Sequence, residues 1–502
     1  MCVGIESFVS FHLKIKRIWN VLICGVQVAA LIFVSSCGPA AKYYPATPVP
    51  GGADFDQKQV LLLENPRHGT AVNGIKEPLL PLTGIELDKF SPANFEWLVK
   101  SGAYWLRYNG LLWSEVEPQE GARNWSVLSE LERNLIQAAQ LNLKVILVVR
   151  STPEWAQAIP GHFCGPIDPS RMDAFGDFMN ELVKRYSQSP YSVKFWEIYN
   201  EPDIAPELVS GDNPYGCWGD ADDEFYGGGG YAEMLHTIYP RIKSADPQAQ
   251  VLVGGLLLDC DPVHPPENRD CRPSNFIEGI LKAGGGDFFD GISFHTYDYY
   301  SQPFSYSNQN WHSSHKTSGP VNAVKARHLN SLLMKYGLSG KYLINTEAGL
   351  LCGRSGDEPI CQTYEFNMTK AFYVALSNAA ALQEGFLGNI WFNLTGWRGT
   401  GLIDANGNAL PAMSAMRYSS VQLNGASFIR TIQEIPGLSG IEYFRDGKFI
   451  WLLWSQRGAG QRVRFEDQGV RIFDVWGNSM EGDPYLTITS APVYIEWHDP
   501  GP

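Results

Sequence analysis

The fold of this chain is best inferred from the stretch Val193-Lys194-Phe195-Trp196-Glu197-Ile198-Tyr199-Asn200-Glu201-Pro202. Aromatic and β-branched residues favour a buried strand, and Pro202 ends strand pairing because proline has no backbone N–H. A second acid, Glu347, closes the apolar run Tyr342-Leu343-Ile344-Asn345-Thr346. Two carboxyl groups at the ends of separate strands can act together, one as a nucleophile and the other as a proton donor.

Short apolar runs alternate with helix-period segments from about residue 83 onward, which predicts an α/β fold, a (β/α)8 TIM barrel. No Gly-x-Gly-x-x-Gly follows a predicted strand, so a nucleotide-binding fold has no support. The eight predicted strands are residues 84–87, 104–108, 144–149, 193–199, 250–257, 291–295, 342–346 and 389–393. The helices predicted between them include residues 125–141, 171–186, 231–244, 321–336 and 363–384.

The pattern changes after residue 418, where seven short strand-like runs with tight turns predict a small C-terminal antiparallel β domain. Support of the barrel is favoured over carbohydrate binding for this domain, because no run of exposed aromatic residues is evident. The predicted organisation is a signal peptide (1–37), a flexible tether (38–58), a catalytic barrel (59–418) and the β domain (419–502).

The N-terminus predicts export. Basic residues at positions 14, 16 and 17 precede an apolar stretch (21–33) that is too short for a stable membrane span. Val34-Ser35-Ser36-Cys37 resembles a bacterial lipoprotein cleavage box, in which Cys37 becomes the lipidated first residue. An ordinary secretory signal is the alternative. We expect an extracytoplasmic protein attached to the membrane only through this lipid anchor.

Six cysteines remain in the predicted exported part, and in an oxidising compartment they suggest three disulfides. Fifteen connectivities are possible for six cysteines. Spacing favours Cys260–Cys271 and Cys352–Cys361, which leaves Cys164–Cys217. All six follow predicted strands, on the loops where barrel enzymes carry their active sites.

The charge balance limits the possible partners. With a net charge of −14, the chain is not expected to bind nucleic acid. No Cys or His spacing indicates a metal site, and no cofactor is expected. The sequence leaves the oligomeric state open.

Several motifs together resemble clan A glycoside hydrolases, which are retaining (β/α)8 enzymes. The segment from Trp196 to Pro202 is similar to their fourth-strand signature, and Glu347 matches the position of their nucleophile on strand seven. The resemblance implies that Glu201 is the acid/base and Glu347 the nucleophile. Further matches, implied to contact the substrate or the catalytic carboxylates, are Arg107, Asn200, His295, Tyr297, Trp155 and Trp391.

Some details of the resemblance point to particular families. Ser151-Thr152-Pro153-Glu154-Trp155-Ala156 is similar to the β-xylosidase and α-iduronidase family. Xylanase, cellulase and mannanase families share much of the pattern, but Arg150 begins the segment where cellulase-like families have a His. For His295, a structural role at the barrel lip is the alternative to substrate binding.

The resemblance implies a retaining glycoside hydrolase that cleaves O-glycosidic bonds of oligo- or polysaccharides, with plant or microbial β-glycans favoured. The alternatives are a transglycosylase that uses the same residues and a catalytically silent glycan-binding lipoprotein. Arg107 and the Tyr297 hydroxyl are expected to lower the pKa of Glu347, whereas a carboxylate neighbour should raise that of Glu201. Glu197 is expected to pair with Arg107, and the glycine run 227–230 to form a flexible loop.

Overall fold

The computed structural model describes residues 60–63, 80–213, 216–311, 320–455, 460–465, 470–480 and 485–497. The predicted signal peptide with Cys37, and the tether, lie outside the described residues, so their assignment stays a prediction. In the described part of the chain, no helix is both long and apolar enough to span a bilayer.

The elements alternate as the sequence predicts, with boundaries close to those expected. The strands are β1 (Leu61–Leu63), β2 (Thr83–Glu86), β3 (Trp105–Leu112), β4 (Lys144–Arg150), β5 (Phe195–Asn200), β6 (Gln250–Leu256), β7 (Gly291–Gln302), β8 (Ser305–Ser307), β9 (Tyr342–Leu351), β10 (Asn389–Trp391), β11 (Ser427–Ile432), β12 (Leu438–Arg445), β13 (Lys448–Ser455), β14 (Gln461–Phe465), β15 (Arg471–Phe473), β16 (Tyr485–Ile488) and β17 (Val493–Trp497). The α-helices are α1 (Pro92–Ser101), α2 (Trp113–Val116), α3 (Ser129–Gln140), α4 (Met172–Tyr186), α5 (Gly228–Ala245), α6 (Phe276–Lys282), α7 (Val321–Lys335), α8 (Tyr364–Gln383) and α9 (Pro411–Leu423). Short 3₁₀ helices are Trp125–Leu128, Glu154–Ala156, Pro169–Arg171, Pro206–Leu208, Arg272–Asn275, Gly285–Phe288 and Pro359–Gln362.

Eight parallel strands close into a barrel. Neighbours pair in the order β2, β3, β4, β5, β6, β7, β9 and β10, and β10 pairs with β2 to complete the ring. The predicted (β/α)8 barrel is therefore confirmed. The carboxyl ends of all eight strands consequently open at one face, where barrel active sites lie.

The barrel interior is apolar at one level and charged at the next. An inner cluster fills the centre with one side chain from each of six strands: Trp105, Ile146, Phe195, Leu252, Ile344 and Ile390. Flanking strand residues instead join the large core beneath the helices. Because strand side chains alternate between faces, Arg107 and Glu197 point inward one layer closer to the carboxyl ends.

The helix ends follow local sequence chemistry. Ser91 caps α1 by accepting the backbone N–H of Asn94 at 3.1 Å, and Pro92 occupies the first turn. The loop predicted for residues 227–230 is wrong, because α5 begins at Gly228. A β-carbon there would come within 2.1 Å of the Phe276 carbonyl of the neighbouring helix, so glycine permits this close approach.

The C-terminal strands form two sheets, which confirms the predicted β domain as a fold element. One sheet has the order β11-β12-β13-β17-β15, and the other joins β14 and β16 to β1 from before the barrel. Their facing sides share an apolar core that includes Trp451 and Trp497. Gln422 of α9 fastens this unit to the barrel through hydrogen bonds with Tyr443 and Glu496. The predicted domain boundaries stay predictions.

All three expected disulfides are present, with Cα–Cα distances of 5.2 to 5.6 Å. Cys164–Cys217 joins the loop after β4 to the loop after β5, and the Cys217 N–H also donates to the Cys164 carbonyl at 2.9 Å. The other two bridges close the loops after β6 and β9. The disulfides therefore brace the face at which the strands end.

Candidate active site

Arg107 of β3 is the centre of a buried charge cluster. Its side chain is 0% exposed and donates to Glu86, Glu197, Glu347 and Asn200 at 2.5 to 2.6 Å. The predicted Arg107–Glu197 pair is thus present. One guanidinium with four charge-assisted hydrogen bonds therefore holds four side chains from three different strands, β2, β5 and β9.

A bulge in β9 turns Glu347 toward the barrel axis. Ile344 faces inward, so a regular strand would direct Glu347, three residues later, toward the helices. The register between β9 and β7 shifts, with Asn345 opposite Phe294 and Glu347 opposite His295. The residue between them is extra and changes the facing of Glu347. The strand then continues to Leu351 rather than ending at Thr346 as predicted.

Both carboxylate oxygens of Glu347 have partners. Oε1 accepts from the Arg107 guanidinium at 2.6 Å, and Oε2 accepts from the Tyr297 hydroxyl. The side chain is buried, and burial raises its pKa above the usual range, while Arg107 and Tyr297 oppose that rise. The expectation of a lowered pKa is therefore wrong in its net direction, although both predicted partners act with the predicted sign.

Glu201 lies just beyond β5 in a strained backbone segment. Tyr199 and Glu201 both adopt positive φ angles, +62° and +50°, which non-glycine residues rarely do. The Glu201 N–H donates to the Gly255 carbonyl at 2.9 Å. Its carboxyl is buried, and this burial, followed by the charges of Glu347 and Asp203, raises its pKa well above the usual range. Glu201 is thus the carboxyl of this pair that keeps its proton more readily.

His295 of β7 connects the two glutamates. Its Nδ1 lies 2.8 Å from Oε1 of Glu201 and 3.4 Å from Oε2 of Glu347. Burial, and then the charges of Arg107 and Lys325, hold its pKa well below the usual range, so the imidazole is neutral. Its Nε2 sits over Gly255, where a β-carbon would come within 2.1 Å, so only glycine accommodates this ring.

A second layer behind His295 was not predicted from the sequence. Lys325 of α7 is buried and donates to the carbonyls of Leu257 and His295 at 2.7 and 2.8 Å. Asp203 accepts the N–H groups of Leu257 and Leu258. Burial lowers the pKa of Lys325 to about 8 and raises that of Asp203 to about 6. Neither Lys325 nor Asp203 belongs to a recognisable sequence motif. The one available signal was that Lys325 lies on the apolar face of its helix.

Glu86 was also missed. It is the last residue of β2, buried, and 2.5 Å from Arg107. The available signal was an acid within the first predicted strand, in phase with the inward-facing Gly84.

The contacts of the two predicted aromatic residues are with residues outside this cluster. Trp391 is 1% exposed, packs on Tyr373 of α8, and donates to the Thr400 carbonyl, so it faces the helices. This corrects the prediction that Trp391 stacks on substrate. The next residue, Phe392, lies instead with its ring 6.0 Å from that of Tyr297.

Trp155, the other predicted stacking residue, is half-buried in the loop after β4. It packs edge-on against Trp113 and donates to the Glu117 carbonyl at 2.9 Å. These contacts hold it at the rim of the β4 side of the barrel, and none of them is to Glu201 or Glu347.

An oxygen of Glu201, the Nδ1 of His295 and an oxygen of Glu347 all lie within 4.8 Å of one another. Among the described residues, these three are also the one group with metal-ligand geometry. Arg107 and Tyr297 already occupy both oxygens of Glu347, however, and Arg107 supplies the positive charge. The arrangement is therefore suited to chemistry in which one carboxyl group donates a proton to a bound molecule and the other acts on it as a carboxylate.

Comparisons with known proteins extend this picture at the level of the fold. No protein-family model matches the chain, and no curated protein matches its sequence. Solved structures do match. A family 39 glycoside hydrolase from the gut symbiont Bacteroides cellulosilyticus is similar with a TM-score of 0.60 and 18% identity, over 83% of this chain and 81% of that one.

Two further structures illustrate the range of similar folds. The catalytic domain of a family 30 xylanase from Talaromyces cellulolyticus has a TM-score of 0.56 and 12% identity, over 84% of this chain and 98% of its own. An endo-β-1,6-glucanase has a TM-score of 0.53 and 13% identity, over 87% and 94%. The fold is thus that of glycoside hydrolase barrels, as the motifs implied.

Proposed function

We propose that this protein is a glycoside hydrolase that cleaves O-glycosidic bonds of oligo- or polysaccharides, with β-glycans favoured, and retains the anomeric configuration. The observation that carries the proposal is the buried pair Glu201 and Glu347, with oxygens within 4.8 Å. Retaining enzymes hold their two carboxyl groups about 5–5.5 Å apart, whereas inverting enzymes need more room for a water molecule.

The roles follow from the environments of the two acids. Glu347 accepts from Arg107 and Tyr297, which stabilise its ionised form, so it attacks the sugar carbon that bears the leaving oxygen. Glu201 keeps its proton more readily and donates it to the departing oxygen. In the second step, Glu201 removes a proton from water, and that water displaces Glu347 from the sugar.

Asn200 is oriented for a substrate hydroxyl. Its Oδ1 accepts from Arg107 at 2.6 Å, so the amide nitrogen points away from the guanidinium. Within the described residues that nitrogen has no partner, and it is free to donate to the hydroxyl beside the reacting carbon. Hydrogen bonds to this hydroxyl strengthen in the transition state of such reactions.

The test is hydrolysis of aryl glycosides and of xylan, glucan and mannan oligosaccharides by wild type, Glu347→Ala and Glu201→Ala. We expect Glu347→Ala to lose about 10⁴-fold or more in rate. Azide should rescue both variants but with opposite stereochemistry. Direct attack by azide in Glu347→Ala inverts the anomeric centre, whereas attack on the glycosyl-enzyme in Glu201→Ala gives net retention. Activity that survives Glu347→Ala would refute the assignment.

We also propose that the protein is exported and anchored by a lipid on Cys37. The cleavage-box resemblance supports this, and three disulfides suit an oxidising compartment. Membrane fractionation of wild type and Cys37→Ala tests it. Wild type should sediment with membranes and Cys37→Ala should not; a variant that still sediments would overturn the proposal.

A further inference from the structure

Arg150 is a second inward-facing arginine at the mouth of the barrel. It is the last residue of β4, in phase with Ile146, which belongs to the inner cluster, so its side chain points toward the barrel axis. Burial is the largest cause of the lowered pKa of Arg150, and the positive charge of Arg107 is the second. Both guanidinium groups therefore lie over the same region of the barrel.

Unlike Arg107, Arg150 has no carboxylate partner among the residues that the structure describes. In the described part of the chain, its hydrogen bonds go only to the carbonyl and side-chain oxygens of Asn109, at 2.8 to 3.3 Å. These use two of the five N–H groups of a guanidinium and leave three, including both on Nη1, without an acceptor among the described residues. The exposed Glu115 and the buried Glu86 attract Arg150 only from beyond ion-pair distance. The charge is thus incompletely compensated.

Arg150 and Arg107 differ in how their charges are compensated. Burial and Arg107 lower the pKa of Arg150 to about 10, so it is still charged at neutral pH. Arg107, in contrast, is surrounded by three carboxylates. Withdrawing a guanidinium from water without a counter-charge costs free energy, and an anionic ligand would offset that cost.

Arg150 ends the strand adjacent to the one that Glu201 follows. Ser151 has a positive φ of +74°, which turns the chain sharply after Arg150. The next hydroxyl, that of Thr152, hydrogen-bonds the Tyr199 hydroxyl at 2.5 Å. Tyr199 lies two residues before Glu201, and β4 pairs with β5 with Val149 opposite Ile198, so Arg150 and Glu201 belong to neighbouring strand ends at the same face of the barrel.

We infer that Arg150, presented by Asn109, forms a subsite for an anionic substituent of the glycan, a carboxylate or a sulfate ester. The inference rests on the proposed function, because it names the substrate class of the same cleft. A planar guanidinium with free N–H groups matches the oxygens of either anion.

The test compares pairs of substrates that differ only in charge. One pair is an aryl β-glucuronide and the matching β-glucoside. A second is a uronate-bearing xylo-oligosaccharide and its carboxyl-reduced form, and a third is a sulfated galactan oligosaccharide before and after desulfation. Wild type should favour the anionic member of at least one pair, and the pair concerned distinguishes carboxylate from sulfate.

In that pair, Arg150→Gln should lower kcat/KM on the anionic member by about 100-fold and change the neutral member by no more than about threefold. Arg133→Gln, at an exposed arginine of α3, is the matched control and should behave as wild type. If Arg150→Gln does not fold, Arg150→Lys keeps the charge but loses the planar fork, and should lose about tenfold on the anionic member only. Equal losses on both members, or a wild type that favours neutral substrates throughout, would overturn the inference.

Binding separates failure of the subsite from failure of the catalytic proposal. Glu347→Gln protein is titrated with the anionic and neutral members, with and without Arg150→Gln, and followed by tryptophan fluorescence. An Arg150-dependent preference in binding without any wild-type hydrolysis would support the subsite and refute the enzyme. Hydrolysis without a charge preference would refute the subsite alone.

Discussion

Replacing Arg107 by methionine is expected to destabilise the fold more than any exposed ion pair does. The side chain is fully buried and donates to Glu86, Glu197, Glu347 and Asn200. Methionine fills a similar volume but leaves three carboxyl groups without their cation. Breaking a buried pair by removing one partner costs about 3–5 kcal/mol. Because the carboxyl groups can take up protons, we expect a loss near that range rather than three times as much.

The pH dependence of this loss has a definite sign. Burial already raises the pKa values of Glu86 and Glu347, and the Arg107 charge opposes that rise in both. Without Arg107 the folded-state pKa values rise further. A carboxyl whose folded pKa exceeds its unfolded value loses stability as pH rises between the two. The deficit of Arg107→Met should therefore be larger at pH 7.5 than at pH 5.

Urea unfolding followed by circular dichroism at both pH values measures this effect. The matched control is Arg185→Met, which removes an exposed arginine whose guanidinium lies 2.7 Å from Glu132. That pair should contribute less than about 1 kcal/mol. A loss for Arg107→Met no larger than the control, or one that grows toward pH 5, would refute the account of the cluster.

Three further outcomes are expected. Because the pKa of Glu201 is raised, kcat/KM of the wild type should fall at high pH, at a pH well above the usual range for a carboxyl group. Glu201→Gln should lose this fall at high pH, while it still reacts with substrates that have activated leaving groups. Gly255→Ala places a β-carbon on His295 and should lower kcat by about 10- to 100-fold with folding intact, as rates and circular dichroism would check. Removing the Cys164–Cys217 disulfide, which spans 53 residues, should cost about 4 kcal/mol of unfolding free energy.

Each of these has a control and a contrary result. Gly340→Ala, where an added β-carbon meets nothing within 4 Å, should leave kcat unchanged. An equal effect of the two glycine variants would contradict the role of Gly255. The Cys352–Cys361 bridge spans only 9 residues, so its loss should cost about 3 kcal/mol. A fall at high pH that persists in Glu201→Gln would assign that fall to another group.

Much of the fold and the proposed catalytic pair could be predicted from the sequence. Periodicity of apolar residues identified all eight barrel strands, since each strand is buried on both faces and appears as a short apolar run. The C-terminal strands were marked by turns and alternation. Glu201 and Glu347 were identified because an acid that ends an apolar strand has no packing reason to be there. The cysteine pairs followed from spacing.

Other features required the closed barrel. The facing of Glu347 depends on a bulge opposite Phe294 and His295, and no local pattern shows on which strand a bulge falls. The orientation of Trp391 is the same kind of difference. Trp391 faces the helices, whereas the next residue, Phe392, lies near Tyr297, because a shift of one residue reverses the face that a side chain takes.

The sequence by itself determined which segments become strands and helices, and therefore that carboxyl groups collect at one face. Tertiary structure decided how those groups interact. Glu86, Glu197 and Glu347 are far apart in the chain and meet at Arg107 only because the first and last barrel strands pair. Burial then raises the pKa values of Glu86 and Glu347, and among the described residues Arg150 is left without an ion-pair partner. Periodicity is a local property, whereas burial and charge pairing depend on distances that exist only after the ring closes.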